Sequence, residues 1–130
     1  MFGSDDLYTA LNQTAITDLL DDYEVSSTST MSALFDGMIL PQDFTGTESI
    51  NYYMTTPFNA AADNEIYKYS INCRSADYHS SLTMAYTVKE TINRSFGDDY
   101  YIICIVLAPI PPADNTDVYN TPIEATILKK

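Results

Sequence analysis

A change of periodicity within residues 65–96 constrains the fold more than any other stretch of the sequence. In its first part apolar and polar side chains alternate, as in a strand with one buried face. The apolar set is Tyr67, Tyr69, Ile71 and Cys73, and the polar set is Lys68, Ser70, Asn72 and Arg74. After Ser75 the apolar residues follow at mostly helical spacing, with Asp77 as the predicted N-cap and Ser75 as the alternative. The pattern predicts a strand that leads directly into an amphipathic helix, for which Gly97 is the C′ candidate.

The other predicted elements lie on both sides of this unit. A first helix is predicted over residues 2–23, capped by Ser4 and fraying by about Asp21. Its apolar stripe is Leu7, Leu11, Ala15, Ile16 and Leu19. Strands are predicted over residues 37–40, 49–55, 101–107 and 123–128. The run 101–107 is almost entirely apolar and is predicted to be buried on both faces.

The order of these elements is α-β-β-β-α-β-β, which predicts an α+β fold. We expect a mainly antiparallel sheet of four to five strands with two helices packed on one face, in a single domain over residues 1–130. Polar loops near residues 24–31 and 109–121 are predicted to be arms that become ordered on assembly.

The charge of the chain restricts its partners. Eighteen acidic residues against six basic ones give a formal net charge of −12, and no Lys or Arg precedes Lys68. Such a chain is not expected to bind nucleic acid by neutralising phosphates. Its acidity serves either to keep the protein in solution or to repel DNA. No run is long and apolar enough to predict a membrane helix, and no signal peptide is predicted.

Residue chemistry predicts no catalytic, cofactor-binding or metal-binding residues, because no nucleophile elbow, phosphate-binding loop or zinc-ligand spacing is present. His79 is predicted to be a surface residue. The pairs Asp21-Asp22 and Asp98-Asp99 are predicted to be solvated acids. Cys73 and Cys104 are predicted to be buried thiols; a disulfide is the alternative if their strands are neighbours.

Two residue types suggest an interaction surface instead. Among the eleven tyrosines, Tyr52 and Tyr69 are candidate contact residues, and packing within the sheet is the alternative. Four of the six basic residues are candidates to meet an acidic neighbour, with solvated surface charge as the alternative. These are Lys68, Arg74, Lys89 and Arg94. Charge reversal at Arg74 is predicted to weaken assembly without unfolding the monomer.

The run from Ser70 to Asn93, SINCRSADYHSSLTMAYTVKETIN, together with the order of elements, resembles the tail terminator proteins of tailed bacteriophages. More broadly, it is similar to the small head-to-tail joining, or neck, proteins of the same fold. In that family a strand with a pattern like residues 69–74 runs straight into a helix with a tyrosine near its start. Here Ala76, Asp77 and Tyr78 stand at that junction.

The resemblance implies a structural virion protein without enzymatic activity or cofactor. It implies a closed homo-oligomeric ring at the head-tail junction, which terminates the tail tube and joins it to the connector. The implied partners are other copies of the chain and the tail-tube and connector proteins; no membrane is implied. DNA would pass through an acidic channel as a repelled cargo. The implied location is the virion, and the host cytoplasm during assembly.

Two alternatives remain open. The chain resembles other head-completion or connector ring proteins nearly as well. An acidic adaptor or inhibitor that binds a basic protein could share its composition. An enzyme is a third possibility, which would require a pocket that unites His79 with several carboxylates.

Overall fold

A computed structural model describes residues 2–56, 66–113 and 117–130. The helices are α1 (Ser4–Leu11), α2 (Thr14–Thr17) and α3 (Tyr78–Ile92). The strands are β1 (Asp22–Ser26), β2 (Ser29–Ser32), β3 (Leu34–Asp36), β4 (Ser49–Thr56), β5 (Ile66–Ser75), β6 (Ser95–Phe96), β7 (Tyr100–Val106) and β8 (Tyr119–Lys129). The predicted α+β class is confirmed. Within the described ranges, no helix has the length and apolar character that crossing a bilayer requires.

Six strands form the central sheet, in the order β3-β4-β5-β8-β7-β6. The β3–β4 pair is parallel and every other neighbouring pair is antiparallel. The sheet is therefore mainly antiparallel, as predicted, but it has six strands instead of four to five. β1 and β2 form a separate antiparallel hairpin. Residues 24–31, which were predicted to be a loop arm, thus lie mostly in regular structure.

All three helices pack on one face of this sheet, which we call the covered face. Its core joins alternate residues of the strands to the apolar sides of the helices. The opposite face, which we call the open face, carries no helix of the described residues. α3 packs against β5, β7 and β8. Ser81 lets this helix approach closely, because its buried hydroxyl donates to the Cys73 carbonyl at 3.0 Å and lies 2.7 Å from Thr121 Oγ1.

The predicted first helix is divided into α1 and α2. Asn12 and Gln13 separate the two pieces, and the chain enters β1 at Asp22. The cap of α1 is Gly3, not Ser4; its N–H donates to Asp6 Oδ2 at 2.8 Å. Most of the predicted stripe is buried, but Ala15 and Leu19 are exposed. The helical spacing across 2–23 therefore predicted a helix that is too long. Two short helices that pack on one core can show the same spacing of apolar residues as one long helix.

Asp21 does not end a helix. Its Oδ2 accepts from the backbone N–H groups of Thr47 and Glu48, at 2.8 and 3.0 Å. A Cβ at Gly46 would lie only 2.6 Å from this oxygen, so any other residue here would displace the Asp21 carboxylate. The carboxylate of Asp21 thereby holds the connection that leads into β4.

The end of α3 also differs from the prediction. Asp77 is confirmed as the N-cap, since Ser80 N donates to Asp77 Oδ2 at 2.9 Å. The helix ends at Ile92, and Asn93 Oδ1 accepts from Cys104 N at 2.7 Å. Ser95 and Phe96 then form β6, and Gly97, with φ of 61°, lies in the turn to β7. Gly97 is thus a hairpin residue and not the C′ residue of the helix.

Two strand predictions were misplaced. The first strand of the central sheet is β3, not residues 37–40, because pairing ends where Gly37 N donates to Tyr52 O at 2.8 Å. The last strand begins at Tyr119 instead of residue 123. Pro122 lies inside it, opposite Asn72, although proline cannot donate to the ladder. Residues 114–116 of the predicted 109–121 arm lie outside the described residues.

Candidate functional site

An apolar row on the open face of β7 is the most unusual surface of the molecule. Tyr101, Ile103 and Ile105 are 49%, 43% and 54% exposed, and Leu107 continues the row just after the strand. We call these four residues the apolar strip. The alternate residues Ile102 and Cys104 are buried on the covered face. The prediction that this strand is buried on both faces is therefore wrong for a single chain.

Neighbouring strands extend the apolar strip at one end. Leu128 of β8 pairs with Tyr101 on one side and with Ile66 of β5 on the other. Ile66 is exposed and Leu128 is partly buried. A continuous exposed apolar surface of this kind marks an interaction site far more often than scattered apolar residues do.

On β4, β5 and β8 the open face carries polar side chains that contact one another within the chain. We call this region the polar half of the open face. Arg74 Nε donates to Asn51 Oδ1 at 2.9 Å, and Asn120 Nδ2 donates to Asn72 Oδ1 at the same distance. Burial lowers the pKa of the Arg74 guanidinium. Lys68 Nζ lies 3.5 Å from Glu124 Oε1. Both predicted basic contact residues of β5 thus already have partners inside the monomer.

The other two predicted basic residues lie elsewhere. Lys89 is in the last part of α3, and Arg94 follows this helix and donates from Nη2 to the Glu90 carbonyl at 3.0 Å. They belong to the helical layer, whereas Lys68 and Arg74 lie on the open face. The four basic residues therefore do not form one continuous patch.

Tyr52 and Tyr69 cannot be contact residues, because both are buried on the covered face. Tyr52 pairs with Ile71 and Tyr69 with Ala125, so the register turns both rings toward the helices. Burial raises the pKa of both phenols. The exposed tyrosine of the apolar strip is Tyr101, and its alternation with buried Tyr100 was the signal in the sequence.

A groove of about 440 Å³ lies between α1, β3 and the loop that follows β3. Its lining is largely apolar, with Tyr8, Leu34 and Ile39 among its residues, and it carries two carboxylates, Asp5 and Asp36. We call it the acidic groove. No lysine or arginine lines it.

The pocket beside His79 does not resemble a catalytic site. It encloses about 310 Å³ and contains one carboxylate, Glu48. Glu48 Oε1 accepts from Ser75 Oγ at 2.6 Å, so the carboxylate holds the start of α3. The described residues include no group of three or more potential metal ligands. The several carboxylates that the enzymatic alternative requires are not brought together at His79.

Both cysteines are free and buried on the covered face. β8 lies between their strands, so the neighbouring-strand condition for a disulfide is not met. Burial raises the pKa of the Cys73 thiol and that of Cys104. These side chains pack in the core and are poor nucleophiles.

The fold is shared with a chain in a solved structure described as the virion of a native gene transfer agent particle. The TM-score is 0.63 at 11% sequence identity, over 95% of this chain and 90% of that chain. No protein-family model matches the sequence, and no curated protein matches it either. At this identity the likeness shows a common fold.

Proposed function

We propose that the chain is a structural protein of the virion of a tailed bacteriophage or a phage-like particle. It assembles as a closed ring at the head-tail junction, where it terminates the tail tube and joins it to the connector. The observation that carries this proposal is the apolar strip on a fold shared with a virion chain. A neighbouring subunit would cover the strip, and β7 would then be buried on both faces.

A closed ring suits a surface of this kind. Cyclic rings form through heterologous contacts, in which one patch of a subunit meets a different patch of the next. The strip lies toward one edge of the sheet, since only the two-residue β6 stands beyond β7. A contact made there leaves the opposite edge, at β3, available for the next subunit.

The charge of the chain supports a role for the ring bore. With a net charge of −12 for each chain, a ring accumulates many carboxylates. An acidic bore would repel phosphates and let DNA pass without binding. The proposed partners are therefore further copies of the chain and the tail-tube and connector proteins. A ring structure with a neutral or basic bore would contradict the acidic-channel part of this proposal.

The acidic groove supports a second candidate function. A groove with two carboxylates and no basic residue is also what an acidic adaptor or inhibitor would use to hold a basic protein. Such an adaptor has no need to assemble with itself. A ring protein at another level of the neck would, by contrast, assemble in the same way. The oligomeric state thus separates the ring proteins from the adaptor.

The test is light scattering after size-exclusion chromatography over a range of protein concentrations, with negative-stain electron microscopy of the same fractions. We expect closed rings of one size. Two tyrosines of equal exposure, 49% each, provide a matched pair of variants: Tyr101 on the strip and Tyr86 on α3. Tyr101→Glu should abolish the rings and Tyr86→Glu should leave them intact. A wild-type chain that remains monomeric at every concentration would exclude the ring and favour the adaptor.

A further inference from the structure

We propose that the acidic groove of one subunit binds the Lys130 end of β8 in a second copy of the chain. This inference rests on the proposed ring and names the two patches that meet in it. The groove lies at the β3 edge of the central sheet and Lys130 follows β8, which β4 and β5 separate from β3, so these are two different patches, as a head-to-tail contact requires.

The acidic groove fits an amphipathic cationic side chain. Its floor is formed largely by apolar residues of β3 and of the loop that follows, while Asp5 and Asp36 supply the negative charge. Both acids are exposed. A lysine could lay its aliphatic stem on the apolar floor and bring its ammonium group to a carboxylate. The first half of the chain contains no lysine or arginine that could do this from nearby in sequence.

Lys130 is held in position at the end of β8, against the turn that joins β6 and β7. Its backbone N–H donates to the Asp99 carbonyl at 2.7 Å. Its Nζ donates to the Gly97 carbonyl at 3.3 Å and lies 5.4 Å from the centre of the Tyr101 ring. Lys130 therefore adjoins the apolar strip, and Lys129 lies beside it, opposite Tyr100 in the register. Asp98 and Asp99 occupy the adjoining turn, so the attraction we propose is local to the lysine side chain.

Exposed apolar residues lie beside the acidic groove and also beside Lys130. Next to the groove, Met38 and Ile39 are 70% and 83% exposed in the loop after β3. Next to Lys130, the apolar strip begins at Tyr101. A contact that places the loop against the strip also brings a carboxylate of the groove toward Lys130. Three strand spacings separate β3 from β8, roughly 14 Å, and the Lys130 side chain is turned toward Gly97 and Tyr101, so one subunit does not place its own Lys130 in its own groove.

A second copy accounts for these features better than an unrelated basic protein. A basic partner explains the groove, but it leaves the loop residues and the apolar strip without a reason to be exposed together. In the head-to-tail contact each patch covers the other. Contacts between opposite charges at such an interface also determine the register in which the subunits meet.

Charge reversal at one residue of each patch tests the pair. Asp36→Lys places like charges together, and so does Lys130→Glu. We expect each variant alone to weaken self-association by about a hundredfold, because like-charge contacts across an interface are strongly unfavourable. An equimolar mixture of the two variants should recover the rings, since each wild-type patch finds its partner and the two reversed patches also match. The double variant should recover them as well.

Asp18→Lys is the matched control, since Asp18 is exposed after α2 and does not line the groove. It should assemble as the wild type does. Circular dichroism should show that every variant is folded. Rings that tolerate either reversal would overturn this inference and leave the proposed ring standing. Loss of assembly that neither the mixture nor the double variant restores would also overturn it. A wild-type chain that never assembles would overturn both the inference and the proposed ring.

Discussion

β5 and β7 use the same covered face but differ on the open face. On the covered face both strands contribute apolar residues to one core. On the open face β5 presents Lys68, Ser70, Asn72 and Arg74, and all but Ser70 contact polar side chains of β4 or β8. β7 presents Tyr101, Ile103 and Ile105, which are about half exposed. Two strands of one sheet thus differ on that side: β5 is polar and bonded to its neighbours, whereas β7 is apolar and exposed.

The magnitude of this difference limits what the apolar strip can do alone. Burying the exposed half of such a side chain contributes about 1 kcal/mol, so the four residues contribute about 4 kcal/mol. Loss of translational and rotational freedom on association costs about 4–15 kcal/mol. The strip by itself therefore does not hold two subunits together. A stable contact needs a second patch, and this requirement agrees with the pairing of the strip with the loop beside the acidic groove.

Thiol labelling should show the largest contrast between the two faces. Cys73 and Cys104 are buried and burial raises the pKa of both thiols, so a thiol reagent should reach them only when the protein opens. We expect native labelling to be about a thousandfold slower than labelling in urea. An Ile103→Cys variant adds a thiol on the open face, one residue from Cys104. That thiol should react at once in dilute solution and become protected as rings form.

Fast labelling of the wild-type protein would mean that the helices do not exclude solvent from the covered face. Protection of the introduced thiol in the monomer would mean that the strip is already covered. Either result would remove the contrast on which the assembly proposal is based.

Two adjacent isoleucines of β7 provide a matched test of stability. Ile102 is 1% exposed and Ile103 is 43% exposed. Ile102→Ala should lower the free energy of unfolding by about 3 kcal/mol, because it leaves a cavity in the core. Ile103→Ala should lower it by less than about 1 kcal/mol in the monomer, because the side chain is already half in water. Urea denaturation of dilute protein measures both values, and equal losses would show that the two faces do not differ.

The sequence predicted best the parts whose pattern is local. The alternation in residues 67–74 correctly placed β5, and Asp77 correctly marked the start of α3. β3 was missed because only three of its residues pair, and they pair in parallel with β4, which is reached after a long connection. The division of the first helix was missed because α1 and α2 direct Leu7, Leu11 and Ile16 into the same core.

The candidate site was harder to predict, because a sequence pattern does not show which face of the sheet a given residue occupies. Tyr52 and Tyr53 are adjacent, and only the pairing of Tyr52 with Ile71 decides which of them is buried. The apolar run of β7 was read as a strand covered on both faces. That interpretation fails for the monomer and becomes correct if a second subunit covers the strip. The basic residues were grouped by their rarity, although they lie on two sides of the sheet.

The polar half of the open face should matter for stability and not for assembly. Arg74→Ala removes the hydrogen bond to Asn51 and should lower the free energy of unfolding by about 1 kcal/mol. Asn51→Ala should cost about 2 kcal/mol, because Asn51 Nδ2 also donates to the Gly37 carbonyl at 3.0 Å, and the double variant should cost less than the sum of the two. Rings should form normally in Arg74→Ala. Failure to assemble would support the original prediction that Arg74 meets a neighbouring subunit.

The smallest effect we expect concerns the cap of α3, the helix that covers the buried side of β5, β7 and β8. The backbone N–H and then the hydroxyl of Ser80 hold the pKa of the Asp77 carboxyl below its usual value. Because the pKa is lower in the folded state, the carboxylate stabilises the protein above its unfolded pKa of about 3.9. This contribution is lost as the pH falls through the folded pKa. Asp77→Asn keeps an acceptor that does not titrate, so its melting temperature should fall less than that of the wild type between pH 7 and pH 3. Asp77→Ala should be less stable than both at pH 7. If all three proteins have the same melting temperature at pH 7, the cap does not stabilise the fold, and side-chain packing alone holds α3 on the covered face.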